Sequence, residues 1–321
     1  MRYRLFGRTG LRVSELLLGT MTLRSEDVAR RVLDVYADAG GNFLDTASAY
    51  GESEEVLGAV MHRRDRFVVA TKYTLSRDVQ DPNAGGNHRK NLVLSLEQSL
   101  RRLRTDYVDV LWVHLWDRHT PAEETMRALD DVVRAGKVLY VGVSDAPAWF
   151  VARANTLAEW RDWTPFSGLQ VPYNLLRRDV ERELLPMASA LGMTVAAWAP
   201  LAAGKLSGGT QRAGRLTERE EGAAWAVRAV AEELGATPAQ VALAWVRSSG
   251  VLPLVGRADA GAGRRLSRRG GAAAGSGRAP GGGGPVRAGL SGGLHRGVRG
   301  EPFRVRLRGR RQVMRPGNSA G

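Results

Sequence analysis

Four residues of this 321-residue chain are titratable, differ in type, and stand at or just past the ends of short apolar runs. Asp45 ends GNFLD, Tyr50 follows in TASAYG, Lys72 ends RFVVATK and His114 ends VDVLWVH. A carboxylate, a phenol, an ammonium and an imidazole form a set that can hold and move a proton, provided a scaffold gathers them. Singly, each reads as an ordinary surface or structural residue; their shared placement where an extended run stops makes them a candidate site. His62, His88, His119 and His295 show no metal-ligand spacing, so no metal is expected. With no cysteine, thiolate and disulfide chemistry are excluded, which fits a reducing cytoplasm.

The elements that must position these residues follow a regular alternation. Strand-like runs SELLLG, GNFLDT, RFVVATK, YVDVLWVH, VLYVGVS, SGLQVPY, MTVAAWAP and GVLPLVG come after an N-terminal hairpin. Between them lie amphipathic stretches such as SEDVARRVLDVYADAG, RKNLVLSLEQSLRRL, PAEETMRALDDVVRAG and DVERELLPMASALG. Eight strands with helices between them, over about 250 residues, predict a single-domain α/β protein, a (β/α)8 TIM barrel. An open doubly wound sheet is the alternative, but no GxGxxG turn follows the first strand. In a barrel the strand C-termini form the catalytic face, where all four candidates would meet. The Arg pairs of LRRLR are expected on a wet helix face.

Composition bounds the rest. A 43% hydrophobic fraction and 8 Trp suffice for a large interior. The N-terminus lacks a signal-peptide apolar run, and no stretch approaches the roughly 18 apolar residues of a membrane span, so a soluble, cytoplasmic protein is expected. The net charge of +14 would suggest a nucleic-acid partner, but it is concentrated. Residues 257–321 hold 15 Arg, no Lys, and only Asp259 and Glu301 as acids, so residues 1–256 carry about +1. The same segment holds 18 of the 39 Gly. Without interleaved aromatics it is not expected to be a folded nucleic-acid module.

The segments NFLDTASAYGESEEVLG, VVATK, LRTDYVDVLWVH, GKVLYVGVSD, LQVPYNLL and AWAPLAAGKL resemble successive signatures of the aldo/keto reductases, over residues 1–256. That resemblance implies NAD(P)H-dependent reduction of a small carbonyl substrate, with NADPH favoured and NADH possible. By it, Tyr50 is the general acid, Lys72 and Asp45 tune it, and His114 orients the carbonyl. The chemistry is consistent: carbonyl oxygen gains charge as hydride arrives and must be protonated, and a Lys beside a Tyr favours the phenolate. The resemblance also assigns Gly19, Thr20, Met21 and Asp45 to the neighbourhood of the nicotinamide ribose. Ser144 and Gln170 would hold the carboxamide, Trp198 the ring face, and the backbone of Pro200 and Leu201 the pyrophosphate. Asp145 stands where the family often has Asn and so lacks an amide donor. SGGTQR replaces a Gly-Lys-Tyr that often follows. Trp116 reads equally as pocket wall or rim. The family includes potassium-channel β subunits, which leaves a regulatory role as an alternative, although no channel-docking segment is seen.

Relatives follow the last strand with an Arg-Thr-Pro-Glu-Gln type loop and helix that bind the adenosine 2'-phosphate. Here the chain reads GRADAGAGRRLSRRGG. If each codon is rebuilt from the last two bases of one residue and the first of the next, residues 257–269 can decode as GRTPEQAEDSLGA. By the same rule EPFRVR at 301–306 can decode as SPFVFG, which resembles the family's ending. A reading-frame slip near Gly256 is therefore expected, with a catalytically impaired product as one consequence. A genuine basic tail is the alternative.

Overall fold

In the computed structural model, which describes residues 1–208 and 216–256, the eight expected runs are eight parallel strands closed into one barrel. After a small antiparallel hairpin, β1 (Tyr3–Leu5) and β2 (Arg12–Ser14), come β3 (Leu17–Gly19), β4 (Phe43–Asp45), β5 (Val68–Tyr73) and β6 (Val108–Val113). The barrel continues through β7 (Val138–Ser144), β8 (Phe166–Pro172), β9 (Thr194–Trp198) and β10 (Leu252–Val255), which pairs with both β9 and β3. The open-sheet alternative is thereby set aside. AWAPLAAGKL and the first two residues of SGGTQR are described, whereas residues 209–215 and the tail, on which the expected frame slip falls, lie outside the described residues.

The crossover helices are α1 (Glu26–Asp38), α2 (Ser53–Val60), α3 (Arg89–Leu103), α4 (Ala122–Arg134), α5 (Ala148–Arg161) and α6 (Leu184–Ala190). Two more, α7 (Glu218–Glu233) and α8 (Pro238–Ser248), join β9 to β10, each opened by a Thr capping box. The stretch DVERELLPMASALG does not form one helix. It breaks into a short 3-10 turn at Asp179–Glu181 and then α6, because Pro186 lacks an N–H and its ring clashes with the carbonyl four residues earlier. In LRRLR, Arg101 is exposed as expected, but Arg102 reaches inward to Glu54, Glu55 and the Ser48 carbonyl, binding α3 to α2.

The barrel interior is a packed core. Phe43, Val68, Ala70, Val110, Trp112, Ala196 and Leu252 fill it, and Phe6 from the hairpin plugs its N-terminal end. Trp112 is fully buried and meets Phe6 edge to face, with ring centroids 6.1 Å apart. Its indole occupies the space where Gly142 and Gly168 carry no side chain; a Cβ on Gly142 would come within 2.4 Å of it. The hairpin is pinned from outside by Glu15, which pairs with Arg2, Arg4 and Arg247 of α8.

Candidate active site

The end of β4 and the strands flanking it create a buried charge pair. Asp45 is the last residue of β4, and Lys72 is the penultimate residue of the neighbouring β5; both are essentially inaccessible to solvent. The Lys72 ammonium donates to Asp45 Oδ2, and to the Thr46 carbonyl at 2.9 Å. Burial disfavours the ammonium, yet Asp45 and Tyr50 together outweigh it, so Lys72 is held above its ordinary range. Asp45 Oδ1 accepts from the Gln170 amide of β8 at 3.0 Å, so both carboxylate oxygens are engaged. Sequence reading missed this last contact, since 125 residues separate its partners.

Tyr50 hangs over this pair from the loop between β4 and α2. Lys72 Nζ lies 4.9 Å from the centre of its ring, and the His114 ring meets it edge to face at 5.7 Å. The four residues chosen from sequence thus come together. Burial raises the Tyr50 phenol above its ordinary value; Lys72 pulls the other way, as expected, but does not win, and Asp45 adds to the rise. Tyr50 is therefore held in its neutral form. Its loop is secured by Arg24, whose guanidinium donates to the Tyr50 carbonyl at 2.6 Å.

His114 follows β6. Burial, and then the Lys72 charge, push its imidazole down to about 3, so near neutrality it is uncharged. Among the described residues its buried Nδ1 has no hydrogen-bond partner, so the ring keeps hydrogen-bonding capacity in reserve. Its backbone N–H donates to the Thr74 hydroxyl and the Tyr73 carbonyl, each at 3.2 Å. Thr74 has φ 105, a left-handed conformation costly for a β-branched residue, and sequence reading did not find it. Its hydroxyl donates to Asn87 at 2.6 Å, which ties the His114 backbone to the start of α3.

The residues expected around a cofactor lie on the same face. Gly19 ends β3, where a Cβ would meet Leu254 at 3.3 Å, and Met21 is exposed beside it. Thr20 is fully buried and engaged within the protein: its hydroxyl donates to the Asp45 carbonyl and contacts Ser53, its N–H donates to the same carbonyl, and its own carbonyl accepts from Ser53 and the Leu23 N–H. Ser144 and Gln170 are buried and directly opposite one another in the β7–β8 register. Trp198 ends β9, and its indole N–H donates to Asp145 at 3.1 Å, a contact not foreseen. Past Pro200, Leu201 (φ −101) is followed by three left-handed residues, Ala202, Ala203 and Gly204, a tight turn in which the Ala202 and Gly204 N–H groups donate to the Ala199 and Leu201 carbonyls. Trp116 meets Trp149 at 5.7 Å, Phe150 lies 6.5 Å from it, and its backbone N–H donates to the Asp145 carbonyl.

Among the described residues, no group of three or more His, Asp or Glu could hold a metal, and no helix is long and apolar enough to cross a membrane. His88 caps α3 by accepting from the Asn91 N–H.

The family model described as aldo/keto reductase matches residues 15–260. A norsolorinic acid reductase of Emericella nidulans is 41% identical over 276 residues, covering 77% of this chain and 71% of that protein. An aryl-alcohol dehydrogenase of Pestalotiopsis microspora is 40% identical, covering 79% and 74% respectively. An aryl-alcohol dehydrogenase (NADP(+)) of Phanerodontia chrysosporium is 36% identical, covering 77% and 76%.

Proposed function

The chain belongs to the aldo/keto reductase family and is an oxidoreductase, and from that premise we propose that it reduces an aryl aldehyde or ketone to the alcohol, with NADPH as the hydride source and Tyr50 as the acid. The observation that carries this reading is the gathering of Tyr50, Lys72, Asp45 and His114 at the C-terminal ends of β4, β5 and β6.

The residues present fit the cofactor. Ser144 and Gln170 offer paired side chains for an amide, Trp198 a flat face for the ring, and the backbone at Pro200 and Leu201 would approach the pyrophosphate. The nicotinamide, when bound, supplies the hydride. As that electron pair reaches the carbonyl carbon, the C=O π pair moves to oxygen, which takes the phenolic proton of Tyr50. Lys72, beside the ring and fixed by Asp45, stabilises the phenolate that remains, and a solvent proton restores the acid. Neutral His114, with nitrogen capacity unspent, donates to the same oxygen and fixes its direction.

The aryl preference is supported by the aromatic wall of Trp116, Trp149 and Phe150 next to Asp145, and by the two relatives named aryl-alcohol dehydrogenases. Tyr50→Phe tests the assignment. Removing the phenolic proton should lower kcat by about 10²–10⁴ with NADPH affinity unchanged, the usual weight of a positioned acid. A Phe variant with full kcat would defeat it.

A further inference from the structure

Asp145 departs from the family's usual Asn, and the structure shows what its side chain does. It follows β7 with φ 44, a left-handed conformation that Asp and Asn tolerate better than other L-residues. Its backbone is held at both ends: the N–H donates to the Gln170 carbonyl at 3.2 Å, and the carbonyl accepts from Trp116. The side chain is half-buried, and Oδ1 accepts the indole N–H of Trp198. A carboxylate is an acceptor only, so it cannot replace an amide that donates; it can hold a donor.

A second residue acts on the same ring. The Arg177 guanidinium lies 5.8 Å from the centre of the Trp198 ring, within cation–π range. Its position is set by Asn174, whose Oδ1 accepts from the Arg177 N–H at 3.0 Å and whose amide donates to the Ala199 carbonyl at 2.9 Å. The turn carrying Arg177 is thus fastened to the residue after Trp198. An anion at the edge and a cation over the face leave the indole little freedom to rotate. Burial raises the Asp145 carboxyl, and the Trp198 hydrogen bond, Arg177 and Lys72 oppose the rise.

We propose that Asp145 is a positioning residue: by accepting the indole N–H it fixes the plane of Trp198 against which the nicotinamide stacks, with Arg177 bracing the ring. This rests on the reading of Trp198 as the nicotinamide platform. The test is a double-mutant cycle in the full chain, with NADPH as the probe and the anisotropy of its own fluorescence as the readout, so that loss of Trp emission does not interfere. Asp145→Gly removes the side chain without straining a left-handed backbone, and Trp198→Phe removes the N–H while keeping a flat ring.

Asp145→Gly should weaken NADPH binding about tenfold, the scale of one hydrogen bond to a charged group. Asp145→Asn, which keeps an acceptor oxygen, should recover most of that loss. In the Trp198→Phe background, Asp145→Gly should add less than about a twofold effect, because the partner it served is gone. An equal cost in both backgrounds would overturn the proposal, since Asp145 would then act on something other than the indole. Failure of the underlying reading looks different: Trp198→Ala would leave NADPH affinity unchanged.

Discussion

The charge states of the four gathered side chains determine how the rate should answer to pH. His114 is pushed down to about 3 from an ordinary 6.5, so it stays neutral through the range in which histidines commonly titrate. Tyr50 is raised, so its proton is available well into alkaline solution. For aldehyde reduction, kcat/KM should be flat from about pH 5.5 to 8 and fall only as the phenol ionises above that. A loss of activity on the acid side centred near 6.5 would show that His114 titrates in solution and would overturn its role as a neutral donor. The stability consequence has a definite sign. Because the folded state binds the His114 proton less readily than the unfolded chain, acidification from 6.5 toward 3 favours unfolding, and the contribution is complete only above 6.5. Urea midpoints measured across that range should decline toward acid, less steeply in His114→Asn.

The elements were legible from sequence because a barrel strand buried on both faces is a short apolar run that local pattern detects. Each of the eight expected strands overlaps one of β3 to β10, and the catalytic candidates were found because they interrupt apolar patterns at strand ends. What sequence did not reveal depends on contacts between distant segments. Gln170 on Asp45, Trp198 on Asp145 and Thr74 under His114 join residues that no periodicity relates. Glycines are an intermediate case. Gly168 looks like a weak point in SGLQVPY, yet its lack of a side chain is what admits Trp112 and Phe6: a Cβ there would lie 2.8 Å from the indole and 2.6 Å from the Phe6 ring. Gly168→Ala should therefore cost about 1–3 kcal/mol of stability in urea unfolding, the usual cost of overpacking a core. Gly222, exposed within α7 with nothing near its missing Cβ, supplies the contrast. Gly222→Ala should stabilise by about 0.5–1 kcal/mol through helix propensity alone. Equal effects at the two sites would mean that Trp112 yields freely and the interior is not close-packed.

At the scale of the whole chain, the family match ends at residue 260, just beyond β10, and the charge and glycine content change at the same point. Every active-site residue named above precedes that boundary. The phosphate-binding loop and covering helix that the resemblance leads one to expect would follow it. The proposed frame slip accounts for both facts: it leaves hydride chemistry encoded while replacing the segment that would grip the adenosine 2'-phosphate. The slip and a genuine basic tail predict different binding. Each charge-assisted contact to a phosphate contributes about 1.5–3 kcal/mol, so restoring two or three should tighten NADPH binding by orders of magnitude. NADH, which lacks the 2'-phosphate, should gain far less. The measurement is nicotinamide anisotropy with both dinucleotides, on the chain as it stands and on one whose residues after 256 are recoded in the shifted frame. A large gain confined to NADPH would establish that residues 1–256 form a reductase barrel awaiting its clamp. Equal affinities in the two chains would reject the slip, because a segment recovered in its proper frame could not leave the 2'-phosphate unrecognised.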